Sequence, residues 1–386
     1  MKVILSVEPI RFPLTGIGRY TLEIARHMAG SADVEALRYF SEGGFLEQLP
    51  SPSETPASPS VSAIIRAKRL LARNKMLLET YRFMRGRKQV KALAGTQDWL
   101  YHGPNYYLPE TEGPSVVTFH DLSVITMPEC HPVERVLFMK KEMELSLQRA
   151  SFVITDSDHA RHEIAKHYSW PLERIRTVYL AGSGNFVPRS AQETSAALAD
   201  LDLPHGGYTL YAGTIEPRKN LERLLMAYEM LDPKLRQRYP LILAGFKGWN
   251  NDAILQRIDA AQRAGWARYL GYVPEGVLPH LFSAARLFVF PSLHEGFGLP
   301  VLEAMASAVP VVCSDTSSLP EVAGDAAAMC APADVDGLSY LIAQGLQDEG
   351  WRSRATARGL AQAQKFSWQR CGAETVQLYR DALAAA

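Results

Sequence analysis

The feature that most constrains the fold is a series of continuous apolar segments, each closed by turn residues and followed by helical periodicity. The strand candidates in the first half are 2–7, 35–40, 98–103, 115–120, 152–157 and 175–180; in the second half they are 208–213, 240–245, 267–273, 286–291, 310–315 and 327–332. Between them lie helical periods such as 17–29, 133–149, 158–168, 219–231, 252–264, 275–285, 299–308 and 336–346. A strand apolar on both faces must be covered on both, which a parallel sheet between helix layers achieves. The series occurs twice, and a polar stretch near 181–206 separates the two runs. The expectation is α/β: two doubly wound, Rossmann-like parallel-sheet domains facing each other across a cleft, 1–185 and 186–365. A length of 386 residues is enough for two cores.

Composition narrows the chemistry. Lys+Arg and Asp+Glu both number 41, so no global charge points to nucleic acid. The opening MKVILSVEP meets Glu8, Pro9 and Arg11 before an apolar region develops, and reads as a first strand rather than a signal peptide. No apolar run approaches the roughly 20 residues of a membrane span, and Cys130, Cys313, Cys330 and Cys371 have no metal-like spacing. A cytoplasmic protein is expected. The Pro- and Ser-rich segment 49–60 reads as a surface loop or as an acceptor-side lid. The following stretch, 62–91, is a strongly basic helix with Leu70, Leu77, Tyr81 and Met84 at helical spacing. It reads as a solvated helix resting that stripe on the domain, or as a dock for an anionic membrane surface.

The richest stretch is FPSLHEGFGLPVLEAMASAVPVV (290–312). A strand ends, a glycine-bearing loop follows, and a helix begins near Leu299 and Pro300. Gly298 permits close approach of a ligand to the backbone, and the free N–H groups of the helix start suit a diphosphate. Glu295 and Glu303 flank that site; a carboxylate would repel phosphate, so both should accept hydrogen bonds from hydroxyls. A ligand with a diphosphate and many hydroxyls is a nucleotide sugar. YAGTIEPRKNLERLLMAY (211–228) places Arg218 and Lys219 at another strand end, where open α/β sheets bind ligands. The two cations could neutralise a departing diphosphate without a metal. In the first half, Thr15-Gly16-Ile17-Gly18 makes a flexible turn into a helix, and His120 and Asp121 lie at a strand end. HARHEIAKH (159–167) fails as a zinc helix for His162 and His167, which are five apart. Of the Asp-x-Asp patterns, Asp156–Asp158 reads as a helix cap through Ser157. No metal and no cofactor are expected.

With these residues assembled, the chain resembles glycosyltransferase family 4, retaining enzymes of the GT-B fold. The resemblance spans nearly the whole chain; E-G-F-G-L-P-V-L-E carries most of it, and Arg218-Lys219, the Gly16–Gly18 loop and His120 support it. It implies that Arg218 and Lys219 bind the donor diphosphate with backbone near Gly298 and Leu299, that Glu295 contacts the donor sugar and that Glu303 contacts the ribose. It places the base near Tyr272 and Val273, and His120 beside the reacting centre. The segment 366–386 looks like the family's last helix, which packs back on the first domain. Where members often carry Pro-Asn-Gly-Val, this chain has Val178-Tyr179-Leu180-Ala181-Gly182-Ser183. The opening and SSLPEVAGDAA (317–327) are similar to bacterial mannosyl- and rhamnosyltransferases of O-antigen and related polysaccharide assembly. That similarity implies a GDP-sugar donor, a lipid-linked saccharide acceptor and a place on the cytoplasmic face of the inner membrane. A UDP-sugar transferase, a nucleotide-sugar epimerase and a phosphorylase are the alternatives; a non-catalytic scaffold would need none of these residues.

Overall fold

A computed structural model describes residues 1–51 and 75–385. The first sheet has strands β1 (Lys2–Ser6), β2 (Ala36–Ser41), β3 (Gly44–Leu46), β4 (Leu100–Gly103), β5 (Ser115–Phe119), β6 (Phe152–Thr155) and β7 (Ile175–Thr177). Their order is β3-β2-β1-β4-β5-β6-β7. The second sheet, β10-β9-β8-β11-β12-β13, uses β8 (Thr209–Ala212), β9 (Leu241–Ala244), β10 (Ala267–Gly271), β11 (Leu287–Phe290), β12 (Val311–Ser314) and β13 (Ala328–Cys330). Every pairing is parallel except β2 with β3. Each strand expected from the apolar runs is present, trimmed at its ends except β2, which is shifted by one residue. β4, β5, β8, β9, β11 and β12 are buried at every residue, which is why their sequences do not alternate.

Three features depart from expectation. β3 is a short edge strand returning through Glu42 and Gly43, whose φ angles of 51° and 77° are those of a primed hairpin turn. The polar stretch near 181–206 carries a helix, Ala191–Leu198, because Ser190 and Glu193 form a capping box and Thr194 and Leu198 turn inward. Met84, expected in an apolar stripe, is 66% exposed. The helix Lys75–Leu93 turns Gln89 and Leu93 inward instead. Arg82 Nε donates to Glu142 and Arg85 Nη2 to Glu8, both at 2.6 Å, and so tether it. Most of the Pro- and Ser-rich segment, Leu70, and the side chains of Leu77 and Tyr81 lie outside the described residues.

The helix Trp368–Ala384 packs on the helix Gly16–Gly30 and on β5 and β6. A Cβ on Gly372 would come 2.1 Å from the His27 ring, so glycine sets that close crossing. Tyr379 Oη lies 2.6 Å from His102 Nδ1, and His102 Nε2 lies 2.9 Å from Thr118 Oγ1, a buried polar thread through the first domain. The chain therefore crosses between the sheets twice. The crossings meet where Phe366 packs edge-on against Tyr179 and Phe297, with ring centroids 5.7 and 5.6 Å away. Among the described residues no helix is long and apolar enough to cross a membrane.

Candidate active site

The C-terminal ends of β8 and β11 bring two segments together that lie far apart in sequence. After β8, the turn Pro217–Lys219 presents two cations. Arg218 Nη1 donates to the His294 carbonyl at 2.5 Å and to Glu295 Oε2 at 3.1 Å, and Nη2 donates to Glu216 Oε1 at 2.8 Å. Lys219 Nζ donates to Glu295 Oε1 at 2.5 Å and lies 5.1 Å from the centre of the Phe290 ring. Lys219, Glu216 and Glu295 are all buried. Burial pushes the Glu295 carboxyl up, but Lys219 and Arg218 outweigh it and hold it at about 2. Burial, with help from Arg218, pulls the Lys219 ammonium below its usual value. The two motifs that read as separate constellations in sequence are thus one ion cluster.

Beside the cluster starts the helix Leu299–Ala306. Gly298 caps it at φ 109°, Pro300 in its first turn has no N–H to offer, Val301 N–H donates back to the Gly298 carbonyl at 2.9 Å, and no side chain caps the helix, so the Leu299 N–H is the anion-facing group of this helix start. Glu303, one turn in, has its carboxyl pushed up to about 8 by burial. Its nearest cation is Arg19 of the first domain, which forms an ion pair with Glu275 across the cleft. A Cβ on Gly182 would lie 3.7 Å from Glu303 Cγ, so the interdomain segment runs past this carboxyl.

The first domain closes on the site through His120. Its Nδ1 lies 2.7 Å from Asp156 Oδ2 and its Nε2 lies 2.9 Å from the Pro104 carbonyl. Burial alone would lower its pKa, but Asp156 raises it, and two acceptors at the two ring nitrogens suit an imidazolium that donates to both. Asp156 was expected only beside a helix cap; Ser157 does cap that helix, yet Asp156 holds His120 from the neighbouring strand. The His120 backbone is the closer neighbour of the second domain: a Cβ on Gly296 would come 1.9 Å from the His120 oxygen. Asp121 hydrogen-bonds Ser123 and feels the charge of Arg218. Gly16 and Gly18 are the first residues of a helix rather than a flexible turn. Thr15 caps it by accepting from the Gly18 N–H, and Gly18 is needed because a Cβ there would meet the Pro9 oxygen at 2.9 Å. Gly16 faces Leu299, whose Cδ1 would be 3.5 Å from an added Cβ.

Tyr272 is exposed at the far side of the second sheet and stacks on Phe246, centroids 4.6 Å apart, while Val273 is buried. Phe246 follows β9 and was not singled out in sequence. Further contacts hold the cleft closed. Trp249 Nε1 donates to the Cys130 carbonyl at 2.8 Å, and Glu321 accepts the N–H groups of Asp158 and His159 at 2.9 and 2.7 Å. His294 Nε2 lies 3.1 Å from Glu163.

The family model for glycosyl transferases group 1 matches residues 204–362, the stretch that carries the cluster and the helix start. O-antigen chain mannosyltransferase B of Escherichia coli is 48% identical over 98% of this chain and 100% of its own. The chain belongs to the group 1 glycosyltransferases. The Escherichia coli serotype-specific mannosyltransferase WbdA is 34% identical over 69% of this chain, which covers 34% of that larger protein. Sucrose-phosphate synthase of Thermosynechococcus elongatus shares the fold with a TM-score of 0.73 at 18% identity, each chain fully covered. The Anabaena protein HepE, solved with UDP and glucose, does so at 0.70 and 16%, over 99% of this chain and all of its own. This glycosyltransferase is accordingly a GT-B enzyme of the hexosyltransferase class.

Two outcomes test the site geometry of the transferase. Gly296→Ala should fold yet fail to close on His120, and steady-state kinetics should show kcat/KM reduced about 100-fold. Glu303 ionises near 4.5 when unfolded but near 8 when folded. The stability it contributes is therefore complete below pH 4.5 and lost as pH rises through 8. Glu303→Gln removes that loss, so thermal melts should show the variant gaining on the parent from pH 5 to pH 9, by a few kcal/mol at most.

Proposed function

We propose that this glycosyltransferase moves a mannosyl unit from GDP-mannose to a lipid-linked saccharide acceptor in O-antigen or related polysaccharide assembly, with retention at the anomeric carbon. The observation that carries the proposal is the similarity, along nearly the whole chain, to O-antigen chain mannosyltransferase B. The pair of partly buried Arg218 and buried Lys219, at the open end of the second sheet, supports a diphosphate-bearing donor.

Donor binding exchanges partners. The diphosphate takes over Arg218, Lys219 and the backbone N–H of Leu299, and Glu295, released from its cations, accepts hydrogen bonds from the sugar hydroxyls. Glu303 accepts the ribose hydroxyls, and the base lies along Tyr272 and Val273 beside Phe246. As the bond between the anomeric carbon and the diphosphate oxygen breaks, its electron pair passes to the diphosphate, where the two cations meet the developing charge. The acceptor hydroxyl attacks the same face and its proton passes to the departing oxygen. His120 and Asp121 border this centre from the first domain. Fixed side-chain cations do the work a divalent ion does elsewhere, so the transfer needs no metal.

Exposed Phe83 and Met84, at 64% and 66%, stand beside Arg87, Lys88 and Lys91 on the basic helix. That pairing supports peripheral docking to the anionic inner-membrane surface, where each base contributes about 1 kcal/mol.

The decisive assay offers GDP-mannose, GDP-rhamnose and UDP-glucose, each with and without a lipid-linked acceptor. GDP release that requires both GDP-mannose and acceptor is expected; preference for UDP-glucose, or donor conversion without acceptor, refutes the reading. Arg218→Ala should lower turnover about 100- to 1,000-fold with the fold intact, and the metal-stripped parent should still transfer the sugar. Sedimentation with anionic vesicles should be lost in the double variant Phe83→Ser, Met84→Ser and should weaken with salt. Equal sedimentation with neutral vesicles would remove the membrane assignment.

A further inference from the structure

We propose that His159, Glu163 and His294 form a transition-metal site of the zinc type that ties the two domains together in the closed arrangement. His159 and Glu163 stand four residues apart on one face of the helix Asp158–Tyr168 in the first domain. His294 comes from the loop after β11 in the second. Glu163 lies 3.1 Å from His294 Nε2 and 3.6 Å from His159 Nε2, and all three donor atoms fall within 4.8 Å of one another. A tetrahedral ion about 2.0–2.1 Å from each donor holds its ligands roughly 3.3 Å apart, so the donors must draw in from at most 4.8 Å, a movement that side-chain rotation supplies.

The donor chemistry selects the ion. Two imidazoles and one carboxylate, with one position left for water, suit zinc and its neighbours; calcium and magnesium call for oxygen cages. The His159 side chain is 36% exposed, so solvent reaches the fourth position. The backbone on both sides is already fixed. Glu321 holds the His159 N–H across the interface, and Arg218 holds the His294 carbonyl. A plain ion pair between His294 and Glu163 gives no reason for a second imidazole at the same carboxylate, ring centroid 5.6 Å from the first; two imidazolium groups there would repel. In sequence, His162 and His167 stand five apart and do not share a helix face. The pair that faces the other domain is His159 with Glu163.

The ion carries no step of sugar transfer. It binds only where both domains contribute, so it favours closure over opening. Metal-stripped full-length protein titrated with zinc chloride by calorimetry, and with Co²⁺ by visible absorption, tests the site. One zinc per chain, the intense absorption of tetrahedral Co²⁺, a raised melting temperature and no response to calcium or magnesium are expected. His159→Ala should retain the parent's turnover without zinc and weaken zinc binding about 100-fold or more. His294→Ala, in the other domain, should do the same to binding, whereas His162→Ala should not. No saturable binding, an octahedral Co²⁺ spectrum, or parent-like affinity in either ligand variant overturns the proposal. These readouts do not depend on which sugar is transferred, so failure of the mannosyl assignment leaves them intact.

Discussion

Arg218 and Lys219 share the Glu295 carboxylate in a place that water barely reaches, and Glu216 completes the balance of charge. A buried charge survives only if it is paired and hydrogen-bonded, and removing one partner leaves the others stranded. The arrangement requires the ends of β8 and β11 to be neighbours, which the strand order provides. It also requires the loop after β11 to double back before the helix at Leu299, which Gly296 and Gly298 permit. The cluster is near neutral in itself. On the proposed reading, a diphosphate enters by displacing Glu295 from its cations, and the displaced carboxylate becomes available to the sugar. In that proposal, binding the leaving group and orienting the sugar are one exchange.

Closure of the first domain is a second constraint on the same loop. His120, held by Asp156 and the Pro104 carbonyl, offers its backbone to Gly296 rather than a free ring nitrogen to a substrate. With both ring nitrogens engaged, His120 is a fixed part of the wall, not a proton carrier in search of a partner. On the opposite rim, Arg19 and Glu275 meet across the cleft beside Glu303, whose carboxyl stays neutral until about pH 8.

Much of this was legible in the sequence, because fully buried strands write their burial directly as apolar runs. The sequence also placed Arg218, Lys219, Glu295 and Glu303 at strand ends and around a glycine-bearing loop, and the structure brings the first three into one ion cluster. β3 escaped because three residues at an edge carry little apolar signal; the Glu42-Gly43 turn was its only mark. The helix Ala191–Leu198 was announced by Ser190 and Glu193 but masked by polar composition. Pairings across long separations were not legible at all. His120 meets Asp156, Glu163 meets His294 and Glu321 meets the helix start at Asp158 only because two sheets are folded and apposed.

The chain passes from one domain to the other near Tyr179 and returns near Phe366, and those two rings touch, with Phe297 against the second of them. Two covalent straps lying side by side resist twist and slide alike, and leave chiefly a swing about the line through them. The aromatic knot is thus a pivot, and Phe297 belongs to the very loop that carries Glu295 and Gly296. Any swing that widens the entrance for a donor is levered from beside the groups that receive it, so a small rotation there changes the far rim by much more than it changes the ion cluster.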